Sequence, residues 1–159
     1  PVQGSLFRGP RPRLVAIVDG SSVTVSQFLA ALREVHPRSI FDVRPVPAFE
    51  QWGTSRAVVF GEMEKVGCRY YDLAPVLKIA SSREARFASG ALAQEIGARY
   101  LKPKGVEGPI FIVVANADAA EAVSKTVPLY LRPAPREGWE VEYVPAAAVK
   151  HGAGHPWRR

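Results

Sequence analysis

Residues 14–47 read LVAIVDGSSVTVSQFLAALREVHPRSIFDVRPVP and set out a strand, a helix and a second strand in direct succession. The continuous apolar run at 14–18 is the pattern of a strand buried on both faces. It stops at Asp19-Gly20-Ser21-Ser22, a turn rich in helix-capping residues. From 24 to 36 the residues Val25, Phe28, Leu29, Leu32 and Val35 recur at helical spacing and form one apolar face. Thr24 and Gln27 have capping-box spacing, and Pro37 stops the helix. The second strand covers 40–46, where Pro45 and Pro47 end it because proline cannot donate to a central ladder.

The same alternation continues outward. Residues 48–54, with Phe49 and Trp52, form a loop. A helix follows over 55–66 with Val58, Val59, Met63 and Val66 inward, closed by Gly67 as a C-cap. Residues 70–73 form the third strand. Ser81 and Glu84 make a capping-box pair that opens a helix over 82–100, with Phe87, Ala88, Ala91, Leu92 and Ile96 facing the core and Tyr100 near its end. After a Lys/Gly/Pro turn at 102–109, residues 110–115 make the strongest strand in the chain. A short Ala-rich helix runs from 116–118 to about 125. Residues 129–131 form a minor strand, and 139–144 alternate apolar and acidic residues like an edge strand. Crossovers of this length imply right-handed βαβ units. The expected fold is a three-layer α/β sandwich with a mostly parallel central sheet of about five strands, flavodoxin- or Rossmann-like. Residues 13–146 make the single domain, between a flexible basic arm at 1–12 and a basic tail at 147–159.

At 159 residues the chain can bury roughly 70% of its unfolded surface without a metal or disulfide staple. Its one cysteine, Cys68, fits a reducing compartment and reads as a small buried hydrophobe ahead of the third strand. No apolar run reaches the length of a membrane span, so no membrane contact and a cytoplasmic location are expected. The net charge of +6 is uneven. Arg8, Arg11, Arg13, Lys150, Arg158 and Arg159 lie in ends that hold no acid; the other 15 of the 21 lysines and arginines balance the 15 acids. Basic ends of this kind are solvated, or hold a phosphate backbone.

In parallel sheets ligands bind outside the carboxyl ends of the strands. That rule selects Asp19, Gly20, Ser21 and Ser22 after the first strand, Asp42 and Arg44 in the second, Asp72 in the third, and Asn116 and Asp118 after the fourth. The Gly20–Ser22 turn offers backbone N–H groups to an anion, or is simply a capped turn. Asp42 and Arg44, two apart, point to one face; they clamp a phosphate or carboxylate, or form a structural ion pair. Asn116 and Asp118 act in catalysis, or Asp118 is more simply a helix N-cap. No Gly-x-Gly-x-x-Gly or Walker loop is present, no cofactor is called for, and His36, His151 and His155 lack metal-binding context.

Phe41-Asp-Val-Arg44 with Pro47, preceded by the 16–22 turn and followed by Gly67-Cys-Arg-Tyr-Tyr-Asp-Leu73, resembles the domain-of-unknown-function family 488, small bacterial α/β proteins. The layout matches over 14–145, the motifs only in the first half. The family's late Cys-His-Arg cluster is replaced by Ala115-Asn-Ala-Asp118, and its turn histidine by Asp19-Gly-Ser21. The resemblance implies a divergent member that keeps Asp42 and Arg44 alone from the family's polar groups. Asp42-Val-Arg44 with Phe49-Glu50 and Gly53 also resembles the rhodanese-like motif, but Ala115 stands where sulfur transfer needs cysteine.

The expected function is therefore a non-catalytic or degenerate domain. It binds a small anionic ligand or a protein partner at the rim holding Ser21, Ser22, Asp42 and Arg44. One alternative is a hydrolase or transferase on a phosphate- or glycoside-containing substrate, with Asp42 or Asp72 as general base and Arg44 as electrostatic stabiliser. Another is a nucleic-acid accessory acting through the basic termini.

Overall fold

The computed structural model describes residues 11–81, 88–101, 108–132 and 134–146. The remaining residues of the arm and tail, the capping residue Glu84, Phe87 and the turn at 102–107 lie outside the described residues, as does the side chain of Tyr100. Strand β1 (Leu14–Asp19) is followed by helix α1 (Val25–Val35), β2 (Ser39–Asp42), a 3-10 turn (Glu50–Trp52) and α2 (Arg56–Lys65). Then come β3 (Arg69–Asp72), α3 (Ser89–Glu95) with a π-helical extension (Ile96–Leu101), β4 (Ile110–Val114), α4 (Ala117–Tyr130) and β5 (Glu140–Val144).

All five strands are parallel, in the order β3-β2-β4-β1-β5. Period-2 alternation divides their side chains between two cores. Ala16, Val18, Ile40, Phe111 and Val113 pack with Phe28 and Leu32 of α1 and with Val59 and Met63 of α2. Val15, Ile17, Phe41, Ile112 and Val114 pack with Leu92 and Ala93 of α3, Ile96, and Val123 and Val127 of α4. The result is a three-layer α/β sandwich of the Rossmann- or flavodoxin-like kind. No helix among the described residues is long and apolar enough to cross a membrane.

Local signals act as the sequence implies at both ends of α1 and α2. The Thr24 hydroxyl accepts from Gln27 N, and the Gln27 side chain accepts from Thr24 N. Gly67 adopts φ +71° just past α2, a conformation that costs glycine little. Several details differ. Strand β2 ends at Asp42 rather than 46, since Pro45 removes a donor and the chain turns away; one further bond, Val43 N to the Val113 carbonyl, prolongs the pairing. Val58 is 51% exposed, because Val59 and Met63 define the inward stripe of α2 and Val58 falls a third of a turn aside. Ala91 is likewise exposed on α3, where Leu92 and Ala93 turn inward. Helix α4 runs to Tyr130 through Pro128, so the minor strand at 129–131 does not form. Its stripe of Ala119, Ala120, Val123 and Val127 stays buried to the last turn, where a proline forfeits only one ladder bond.

Arg11 and Arg13 belong to the fold rather than to a solvated end. Arg11 Nη2 lies 2.7 Å from a Glu142 carboxylate oxygen and 3.3 Å from Glu140, and Arg13 Nη2 lies 2.8 Å from Glu140. The acids that alternate along the β5 edge are thus neutralised by the approach to β1. Replacing Arg11 by Ala should cost roughly 1 kcal/mol in urea unfolding, as expected for a partly exposed charge network. The loss should shrink in 1 M NaCl.

Candidate functional site

The carboxyl ends of β1, β2 and β4 meet at the centre of the sheet, where the loops diverge to opposite faces. Asp42 and Arg44 sit on the α1/α2 side of this rim, 0% and 1% exposed. Two buried charges are tolerated only when paired and hydrogen-bonded. Here Arg44 Nη2 donates to Asp42 Oδ2 at 2.7 Å and Nε to Asp42 Oδ1 at 3.0 Å, a bidentate fork. The Arg44 backbone N–H donates to Oδ1 at 3.1 Å, and the Tyr70 hydroxyl to Oδ2 at 2.6 Å. The Arg44 Nη1 reaches on to the Ala48 carbonyl at 3.1 Å.

Aromatic rings enclose the guanidinium. Its carbon lies 5.0 Å from the Phe49 centroid and 4.8 Å from that of Trp52. Trp52 Nε1 donates to the Gly20 carbonyl at 3.0 Å, and Gly20 N donates to the Val114 carbonyl at 2.7 Å. The loop carrying Phe49 and Trp52 is thereby fastened across the mouth of the rim. Gly20 is required for closeness: a Cβ there would stand 2.8 Å from the Val114 carbonyl oxygen and 3.1 Å from Arg44 Cδ. The Tyr70 hydroxyl, beside the Asp42 carboxylate and half-buried, has its pKa pushed well above the usual phenol range, first by burial and then by that charge.

The turn after β1 accommodates an anion of its own. One Asp19 carboxylate oxygen accepts from Ser21 N at 2.9 Å and from the Ser21 hydroxyl at 2.7 Å; the other accepts from the Ser22 hydroxyl at 3.0 Å. Asp19 is buried, whereas Ser21 and Ser22 are exposed. Asn116 Oδ1 caps α4 by accepting from Ala119 N at 2.9 Å, so the cap is Asn116 and Asp118 is an exposed first-turn acid.

Asp72 is set apart. It stands in register with Asp42 across the β2–β3 ladder but is exposed. Its carboxyl is raised above the ordinary value by desolvation first and by the Asp42 charge second, against the lowering effect of the Ala74 N–H, Arg56 and Arg44. The rim thus brings Gly20, Asp42 and Arg44 together in one buried set, holds buried Asp19 apart in its own turn with Ser21 and Ser22, and leaves Ser21, Ser22, Asp72 and Asp118 exposed. Three partners are absent from the sequence expectation: Tyr70, the Phe49–Trp52 pair as a housing for Arg44, and Arg56. Tyr70 shares a strand face with Asp72, a period-2 signal that could have marked it.

Two expected outcomes follow from this chemistry. Asp42→Asn and Arg44→Met should each cost about 3–5 kcal/mol in denaturant unfolding, because each strands a buried charge, while Asp42→Leu combined with Arg44→Met should regain most of the loss. The Cys68 thiol, pushed up to about 12 by burial, should alkylate with iodoacetamide at least about a hundredfold more slowly at pH 7 in the folded chain than in urea.

A comparison with protein-family models finds no match, and comparisons with curated proteins and with solved structures find none either.

Proposed function

We propose that this chain is a non-catalytic α/β domain that binds a protein partner at the carboxyl ends of its strands. The observation that carries the reading is the closure of the Asp42–Arg44 pair beneath Phe49 and Trp52. A guanidinium fork turned onto its own carboxylate leaves that fork engaged, and the Asp19 carboxylate fills the turn that would otherwise cradle a phosphate. A small anion thus meets its two best devices already in use. A general base at Asp42 would need a lone pair directed at substrate, and its oxygens instead face Arg44 and Tyr70.

The surface around the closed rim has the character of a docking face. Val46 is 72% exposed between two prolines in the loop after β2, and Val76 is 52% exposed in the turn after β3. Proline on either side of Val46 restricts the backbone, so little order is lost when a partner covers it. In this reading the likeness to family 488 is that of a divergent member whose Asp-Val-Arg motif serves as a clasp.

Two measurements test it together. A thermal-shift series with phosphate, nucleotides and small carboxylates should raise the melting temperature by less than about 1 °C. Affinity capture with the wild-type chain, compared with Val46→Asp/Val76→Asp of unchanged circular dichroism, should show a protein held by the first and lost by the second. Clear stabilisation by an anion, or a captured set indifferent to the rim substitutions, would overturn the proposal.

A further inference from the structure

Arg44 is not the only arginine on this ring cluster. Phe49, Phe60 and Tyr70 pack against one another with centroids 5.0–6.0 Å apart. Arg56 lies over their outer side, its guanidinium carbon 4.5 Å from the Phe60 centroid, 5.8 Å from Tyr70 and 5.9 Å from Phe49. Arg44 is buried and forked onto a carboxylate. Arg56 is exposed, and among the described residues it makes no ion pair within 4.0 Å.

Its position on the helix also works against it. Arg56 is the first residue of α2, whose opening turn holds no acid, so the helix dipole opposes its charge. What retains it is ring quadrupole and the field of Asp72, which lies on the same strand face as Tyr70. An exposed cation–π contact is weak because water competes for the cation. A cation supplied from outside can therefore replace it at small cost. The rings and the exposed Asp72 carboxylate are complementary to such a cation, with an apolar face to stack on and a charge to pair.

We propose that the outer faces of Phe60 and Tyr70, with Asp72, form a receptor for a guanidinium or alkylammonium side chain of the protein partner, and that Arg56 occupies it as an internal stand-in until the partner binds. The inference rests on the protein-partner reading above and names the chemistry of the contact. It calls for a cationic residue in the partner.

The test needs no partner, so its failure is distinct from the failure of that reading. N-acetyl-arginine amide is titrated into the 15N-labelled full chain and followed at residues 56, 60, 70 and 72, with neutral N-acetyl-glycine amide as control. Arg56→Ala should bind the arginine probe about fivefold more tightly than wild type, the release of one exposed cation–π contact. Adding Asp72→Asn or Phe60→Leu to Arg56→Ala should each remove that gain, with circular dichroism unchanged. If Arg56→Ala binds no better than wild type, or if its binding survives loss of the carboxylate or of the Phe60 ring, or if the neutral amide shifts the same residues equally, the proposal fails.

Discussion

Arg44 is the largest of the fully buried side chains among the described residues, and its charge governs how the carboxyl end of the sheet is built. Removing a guanidinium from water costs several kcal/mol even after relaxation, so the surrounding groups must repay it through geometry. Asp42 does so with two oxygens facing the fork, held in place by Tyr70 and by the Arg44 backbone. Once the fork is set, Nη1 draws the Ala48 carbonyl inward. The loop that follows then lies with Phe49 and Trp52 against the guanidinium. Trp52 in turn bonds to Gly20, which bonds to Val114 on the central strand. Loops from β1 and β2 and the end of β4 are tied to one cation.

This chain of bonds has a functional consequence. Crevices at the carboxyl ends of parallel strands are useful because diverging loops leave backbone donors and side chains free to meet a ligand. Here the divergence is bridged from within. Each polar group central to the rim has an internal partner of the chemistry a ligand would have supplied: a carboxylate for Arg44, a carboxylate for the Ser21 and Ser22 donors, a backbone N–H for Asn116. The exposed groups around the crevice are Val46, Val76 and Asp72, with Arg56 on the rings of Phe60 and Tyr70.

The strand and helix order was legible because hydrophobic periodicity and caps are local. The apolar runs of β1 and β4 and the stripe of α1 were read from local pattern, whereas the inward stripe of α4, Ala119, Ala120, Val123 and Val127, was not. Boundaries were less legible where a tertiary stripe overrides a breaker, as at Pro128, whose helix persists because Val123 and Val127 stay buried. Asp42 and Arg44 could be seen as a pair on one face, but spacing alone leaves open whether a fork faces a ligand or its neighbour. That choice depends on Trp52 meeting Gly20, a contact of 32 residues' separation that no local pattern encodes. The same holds for Arg11 and Arg13, whose partners on β5 lie more than 120 positions away and convert an apparent basic end into part of the sheet edge.

The two arginines around Phe49 show why charge and residue type do not by themselves assign a role. Both stack on the same ring, at 5.0 and 5.9 Å. Arg44 has a carboxylate fork, a carbonyl and two rings in a medium with little water, so each interaction is strong and the arrangement is effectively fixed. Arg56 has rings on one side and solvent on the other, where hydration competes with every contact it makes. A substitution at the first position strands a buried carboxylate, whereas one at the second removes only exposed stacking contacts. The ring cluster thus carries a buried cation inside and an exposed one outside, and burial is what distinguishes them.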